Sequence, residues 1–191
     1  MISKASIALD SEAIARCIRR IALEIAEHHC DAQDLALIGI VRRGAHVAER
    51  IAALLNEDGG PRVAVGTLDI SSYRDDGRGI AGDPRLLGRE IPFSLDQRSV
   101  VLVDDVLYTG RTVRAALTAL ADLGRPNSIE LAVLIDRGER ELPIRADYIG
   151  RNIAAPEGQR VYVKLSELDG VDAVVIGDHK ADSARERSKG T

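Results

Sequence analysis

Ile14, Cys17, Ile18, Ile21 and Ile25 recur at the three- and four-residue spacing of a helix face, behind a capping Asp10-Ser11 pair. This predicts a first helix running to about His29. Leu35 to Val41 (LALIGIV) is a short unbroken apolar run, as in a strand buried on both faces, and a helical pattern follows from Ala45 to Leu55. After a turn-forming stretch from Asn56 to Pro61, Arg62 to Ile70 reads as the next strand. Ser99 to Val106 (SVVLVDDV) is the clearest strand. An Ala/Leu-rich helix from Thr112 to Leu123 follows it, stopping at Gly124 with Pro126 beyond, and then a strand from Ile129 to Ile135. Strand, short loop, helix and strand make the βαβ unit of a parallel sheet. Short strands are expected at Asp147 to Ile153, Arg160 to Leu165 and Ala173 to Ile176.

Two segments break the pattern. Ser71 to Pro84 (SSYRDDGRGIAGDP) is polar, Gly-rich and too long for a routine connection, and a mobile lid is expected there. The charged stretch from Ala181 to Thr191 is expected to be disordered, leaving one domain over residues 1–180.

Composition narrows the class. The chain has 191 residues, 45% apolar and 29% charged, with no Trp and one Phe, so Val, Ile, Leu and Ala must build the core. Such a core suits parallel strands covered by helices. No apolar run reaches the roughly 18–20 residues that span a bilayer, and Met1 to Asp10 lacks a signal-like apolar segment, so a cytoplasmic location without membrane attachment is expected. A net charge of −4 argues against indiscriminate nucleic-acid coating and leaves room for a local basic face. Cys17 and Cys30, read as lying on one helix, would stand roughly 20 Å apart, beyond disulfide reach. No zinc site is expected, because His28 and His29 are adjacent rather than a helical turn apart.

The chemistry concentrates in Val100 to Thr112, VVLVDDVLYTGRT. Four apolar residues deliver Asp104 and Asp105 to the carboxyl end of a central strand, where open α/β sheets bind ligands. Gly110 permits a tight turn into a helix whose first amides, from Tyr108 to Thr112, can converge on an anion, with Thr109 and Thr112 adding hydroxyls. Separately, Asp-Asp is a turn former and Thr-Gly a helix entry. Joined in one strand–loop–helix step, they describe a phosphate cup beside two acidic groups that can hold sugar hydroxyls directly or through hydrated Mg²⁺. A Walker loop is excluded because Arg111-Thr112 follows Gly110 and its first Gly is absent. No G-x-G-x-x-G follows any predicted strand.

VVLVDDVLYTGRT resembles the 5-phosphoribosyl 1-diphosphate (PRPP) signature of type I phosphoribosyltransferases. More narrowly, LDISSYRDD, VDDVLYTGRTVRAAL, LGRP, LAVLIDRG and ELPIRADYIGRNI, in this order, resemble the PyrR family. That family combines uracil phosphoribosyltransferase activity with pyrimidine-operon regulation by attenuation through mRNA binding.

The resemblance implies an α/β fold with a mainly parallel central sheet, a flexible lid and a small hood. It implies PRPP with Mg²⁺ and uracil as substrates, UMP as product, and a homodimer or higher homo-oligomer. Arg42, Arg43 and Gly44 would form the pyrophosphate loop, and two guanidiniums suit a diphosphate. Asp104 and Asp105 would orient the ribose beside Mg²⁺, and Arg42 and Arg43 would join them as catalytic groups. Val106, Leu107, Tyr108, Thr109, Gly110, Arg111 and Thr112 would bind PRPP, the last five around its 5′-phosphate. Tyr73, Arg74, Asp75 and Asp76 would open the lid, and Arg137 and Val161 would line the substrate site. Arg16, Arg19 and Arg20, at i, i+3 and i+4 on the first helix, form a basic stripe that is either ordinary solvated helix surface or, set beside its symmetry mate in a family-like dimer, a face for leader mRNA.

The chain departs from the family at Glu139, where His is common, at Ala154-Ala155-Pro156, and at Leu23 and His28 on the first helix. An attenuation regulator with little catalysis, or a transferase for a purine base or orotate, are the alternative readings.

Overall fold

The computed structural model describes residues 6–30, 34–57, 63–73 and 89–178. Arg74, Asp75 and Asp76, the expected lid as far as Pro84, and the expected tail lie outside the described residues.

Strands β1 (Ser6–Leu9), β2 (Leu35–Ile40), β3 (Ala64–Leu68), β4 (Arg89–Glu90), β5 (Ser99–Leu107), β6 (Ser128–Asp136), β7 (Tyr148–Asn152), β8 (Gln159–Lys164) and β9 (Ala173–Asp178) form two sheets. The helices are α1 (Ser11–His28), α2 (Arg43–Glu57), α3 (Arg111–Leu123) and the single turn α4 (Ser166–Asp169). The larger sheet has the order β4-β3-β2-β5-β6-β7. All neighbours in it are parallel except β4, a two-residue edge antiparallel to β3.

Apolar patterning explains the layers. Every residue of β2 is buried, as a strand covered on both faces requires. Val101 and Val103 of β5 join a core with α1 and α2, whereas Val100 and Leu102 join a core with α3. The amphipathic α1 buries Ile14, Cys17, Ile18, Ile21 and Ile25, and the Asp10 carboxylate caps it by accepting the Ala13 amide at 2.8 Å.

The observed α1 ends within a residue of the expected His29, but Cys30, read as lying on that helix, does not belong to it. The last helical residue is His28, with His29 as cap; both cysteines are free thiols, Cys17 buried and Cys30 exposed. Among the described residues no helix is long and apolar enough to cross a membrane.

The second sheet is antiparallel, β1-β9-β8. Arg50 of α2 ties the turn after β8 to the main body, donating to Glu167 at 2.7 and 2.8 Å, to Asp172 at 2.8 and 3.0 Å, and to Ser166 Oγ at 2.9 Å. Its hydrogen bonds hold the Glu167 and Asp172 carboxyls below their usual range. This hood sits over the sheet, with Val161 of β8 and Val106 of β5 packed against the same core.

Candidate functional site

Strand order locates the crevice. The chain runs outward from β2 to β3 and then returns to the other side of β2 as β5, continuing to β6 and β7. That reversal lies between β2 and β5, and loops leaving their carboxyl ends diverge around an opening. Gly39 of β2 pairs with Val103 of β5, so the loop at Val41-Arg42 leaves β2 level with Asp104 and Asp105.

Two glycines allow this closeness. A Cβ on Gly39 would stand 2.4 Å from the Ala45 Cα, and one on Gly44 would stand 2.5 Å from the Val103 carbonyl oxygen. Gly44 therefore lets the start of α2 press on the β5 backbone just before the acidic pair. Arg43 and Gly44 belong to the first turn of α2 rather than to the preceding loop, and the Val41–Arg42 peptide is cis.

Asp104 is buried, 5% exposed, and its Oδ1 accepts the Asp105 amide at 2.9 Å. Burial pushes the Asp105 carboxyl up, against the opposing pull of its contact with Asp104 and of the Arg43 charge. Arg43 also donates to both carboxylate oxygens of Asp169 in the hood, each at 3.2 Å, while its buried Nε has no hydrogen-bond partner among the described residues. Arg42 is exposed.

Beyond β5 the chain turns through Gly110, whose φ of +91° belongs to the left-handed region that favours glycine, and enters α3 at Arg111. The loop is braced from one side: the Thr109 carbonyl accepts the Glu141 and Leu142 amides at 3.1 and 3.2 Å, and Arg111 pairs with Glu141. Leu107 is buried, and its carbonyl accepts the Arg137 amide at 2.9 Å. The Arg137 guanidinium stacks over the Tyr108 ring at 4.0 Å, and its Nε is buried without a partner among the described residues. Arg43 Nε and Arg137 Nε, each without a partner among the described residues, thus stand beside the acidic pair and the cup. Buried donors of this kind fit an anionic or polar ligand as well as they fit an ordered water.

Arg140 is a residue the sequence reading does not assign. It donates to Asp136 at 2.6 Å and to the carbonyls of Tyr108, Gly138 and Ile144 at 2.9–3.0 Å, tying the loop after β5 to the loop after β6. Its sequence signal is slight: a cation four residues beyond a strand-end Asp.

Tyr73 lies elsewhere in this conformation. Its hydroxyl donates to Asp122 at 3.1 Å, near the carboxyl end of α3 and about 16 Å along that helix from the cup. Val161 lies in the hood, paired with Ile176 of β9. Thr112 stands half-buried in the first turn of α3.

The basic stripe on α1 is exposed but partly engaged. Arg16 faces Glu12 at 3.5 Å; Arg20 pairs with Glu24 at 2.8 Å and donates to the carbonyls of Ile149 and Gly150. Arg16, Arg20, Arg151 and Asn152 line a cavity of about 520 Å³ at the seam between α1 and β7.

Residues 5–164 match the family model of the phosphoribosyl transferase domain. The chain is 58% identical over 170 residues to the bifunctional protein PyrR of Roseiflexus sp., covering 88% of this chain and 92% of the relative. It is 55% identical to that of Deinococcus deserti over 89% and 93% of the two chains. Its fold is similar to that of a hypoxanthine phosphoribosyltransferase from Staphylococcus aureus, with a TM-score of 0.68 at 22% identity over 93% and 94% of the chains.

Proposed function

This chain belongs to the PyrR family of phosphoribosyl transferase domains, and from that premise we propose that it transfers the phosphoribosyl group of PRPP to uracil, forming UMP and diphosphate. The observation that carries this reading is the pairing of Asp104-Asp105 with a left-handed Gly110 turn at the switch point of the sheet. The N1–C1′ bond forms as the bond from C1′ to the diphosphate oxygen breaks, and the base loses its N1 proton. Positive charge develops on the ribose ring and negative charge on the leaving group.

The amides at the start of α3 hold the 5′-phosphate, with the Thr109 and Thr112 hydroxyls beside them. Asp104 and Asp105 orient the ribose hydroxyls. Arg42 and Arg43 meet the departing diphosphate, Arg43 exchanging its pairing with Asp169 for the ligand. Arg137 and Tyr108, stacked together, form a wall of the base site. An all-oxygen carboxylate pair beside an arginine suits a hard cation that is also held by substrate oxygens. Asp104 and Asp105 would therefore hold Mg²⁺, which when bound supplies charge neutralisation to the diphosphate.

A base panel tests the reading: with PRPP and Mg²⁺, uracil is expected to give a mononucleotide at a rate well above hypoxanthine, guanine or orotate. Preference for any of those three would overturn it.

The relatives are named as bifunctional, and the second function we infer is regulation of a pyrimidine operon through leader mRNA. The basic seam of Arg16, Arg20 and Arg151 supports this, because phosphates seek such a surface. Arg19 is exposed beside it. Filter binding of leader and scrambled RNA at two salt concentrations, with and without UMP, is the measurement. Leader-selective retention that falls steeply with salt, rises with UMP and weakens in Arg19→Ala/Arg20→Ala is expected; equal weak retention of both RNAs would rule the inference out.

A further inference from the structure

His28 and His29 close α1 far from the cup. Their partner Glu130 is the third residue of β6, about 20 Å along that strand from Asp136, which anchors the site loops. Adjacent side chains on an unbroken helix diverge, which is why the sequence pattern speaks against a zinc site. The helix ends between these two residues: His29 is the cap, with φ −111° and ψ 29°, and its amide still donates to the Ile25 carbonyl at 2.9 Å. The two rings consequently stack at 4.9 Å between centroids instead of pointing apart.

Glu130 completes the group from a position 101 residues away in sequence. His29 Nε2 stands 3.0 Å from Glu130 Oε2, the Tyr148 hydroxyl donates to the same oxygen at 2.6 Å, and that hydroxyl is 3.0 Å from His28 Nδ1. One nitrogen of each histidine and a Glu130 carboxylate oxygen all lie within 4.8 Å of one another. We propose that His28, His29 and Glu130 bind a zinc-class divalent transition-metal ion, at a site separate from the acidic pair, clipping the end of α1 to β6.

The donor chemistry fits. Two imidazoles and one carboxylate suit zinc, and bonds of about 2.0–2.1 Å in a tetrahedron need ligand atoms roughly 3.4 Å apart. The present spacing closes to that with movement on the order of 1 Å. His29 is buried and Glu130 lies within a strand, so two ligands are held firmly. His28 is exposed and supplies the adjustment. When His28 Nδ1 turns to the ion, the Tyr148 hydroxyl keeps its bond to Glu130, and a donor behind a ligating carboxylate is the usual support of such a site. With three protein ligands a water completes the set, so the ion is expected to exchange rather than to be locked in.

The competing use of the same contacts is a closed hydrogen-bond chain with no ion, and metal titration separates the two. Full-length protein freed of metal by chelation is titrated with Zn²⁺ by calorimetry in excess Mg²⁺, alongside His28→Ala, Glu130→Gln, Cys30→Ser and Asp104→Asn/Asp105→Asn. One Zn²⁺ per chain is expected for wild type, Cys30→Ser and the double Asn variant, with affinity at least about tenfold weaker in His28→Ala and Glu130→Gln. Zn²⁺ is expected to raise the melting temperature of wild type and not of His28→Ala. Metal-free melts show whether each variant folds; should Glu130→Gln not fold, His28→Ala, altered at an exposed position, decides the matter alone. Wild type without Zn²⁺ uptake, uptake unchanged in His28→Ala, or uptake lost instead in the Cys30 or acidic-pair variants would overturn the site.

Discussion

Asp104→Asn combined with Asp105→Asn is expected to depress turnover of PRPP and uracil by roughly a hundredfold or more while leaving the fold intact. The amides match the carboxylates in size, so the packing of Asp104, 5% exposed at the end of β5, is kept. The side-chain carbonyl oxygen introduced by Asp104→Asn can still accept the next backbone amide, which in the wild type reaches Asp104 Oδ1 at 2.9 Å. Both negative charges are lost where the ribose hydroxyls and Mg²⁺ would be held. Stability should move the other way. Burial raises the Asp105 pKa in the folded protein, so the folded state binds that proton more tightly than the unfolded chain does, and above the unfolded pKa this carboxylate costs stability. An amide removes that cost, so the double variant should melt no lower than wild type near neutral pH. Steady-state rates and thermal melts give both readouts, and wild-type turnover would end the proposed role of the pair.

The acidic pair and the glycine turn are legible in the sequence because their chemistry is local. A strand of Val and Leu, two carboxylates, a tight turn and a helix start fall within thirteen consecutive residues, and each step constrains the next. What cannot be read there requires contacts across the chain. Gly44 reads as a residue for diphosphate approach, whereas the packed structure gives its missing side chain a second reason, the Val103 carbonyl of another strand. Arg50 looks like an ordinary helix cation, and only the return of the chain at Glu167 and Asp172 makes it the anchor of the hood. β1 has a single buried residue in four and no alternation to betray it, so pairing with β9 alone defines it. His28 and His29 follow a helical geometry that ends between them.

Gly110→Val is expected to abolish measurable PRPP binding. At φ +91° a β-branched residue sits in backbone space it strongly disfavours, a strain of about 1–3 kcal/mol before any contact is considered. Contacts add to this. A Cβ at position 110 would already stand 3.3 Å from the Leu142 Cβ and from Ile144 Cδ1, and the two γ-carbons of Val extend beyond it. That neighbouring segment cannot simply withdraw, because the Glu141 and Leu142 amides donate to the Thr109 carbonyl and Arg140 holds the Ile144 carbonyl. The cheaper relaxation is for the turn itself to open, moving the amides at the start of α3 off their common focus. Because the 5′-phosphate depends on several converging donors, affinity should fall by more than about two orders of magnitude rather than in proportion to the strain. Gly110→Ala, which carries the backbone strain without the γ-carbons, should lie between the two. Calorimetric titration with PRPP and Mg²⁺, beside a melting curve for each variant, is the measurement. A folded Gly110→Val protein that binds PRPP with unchanged affinity would place the phosphate cup elsewhere in the molecule.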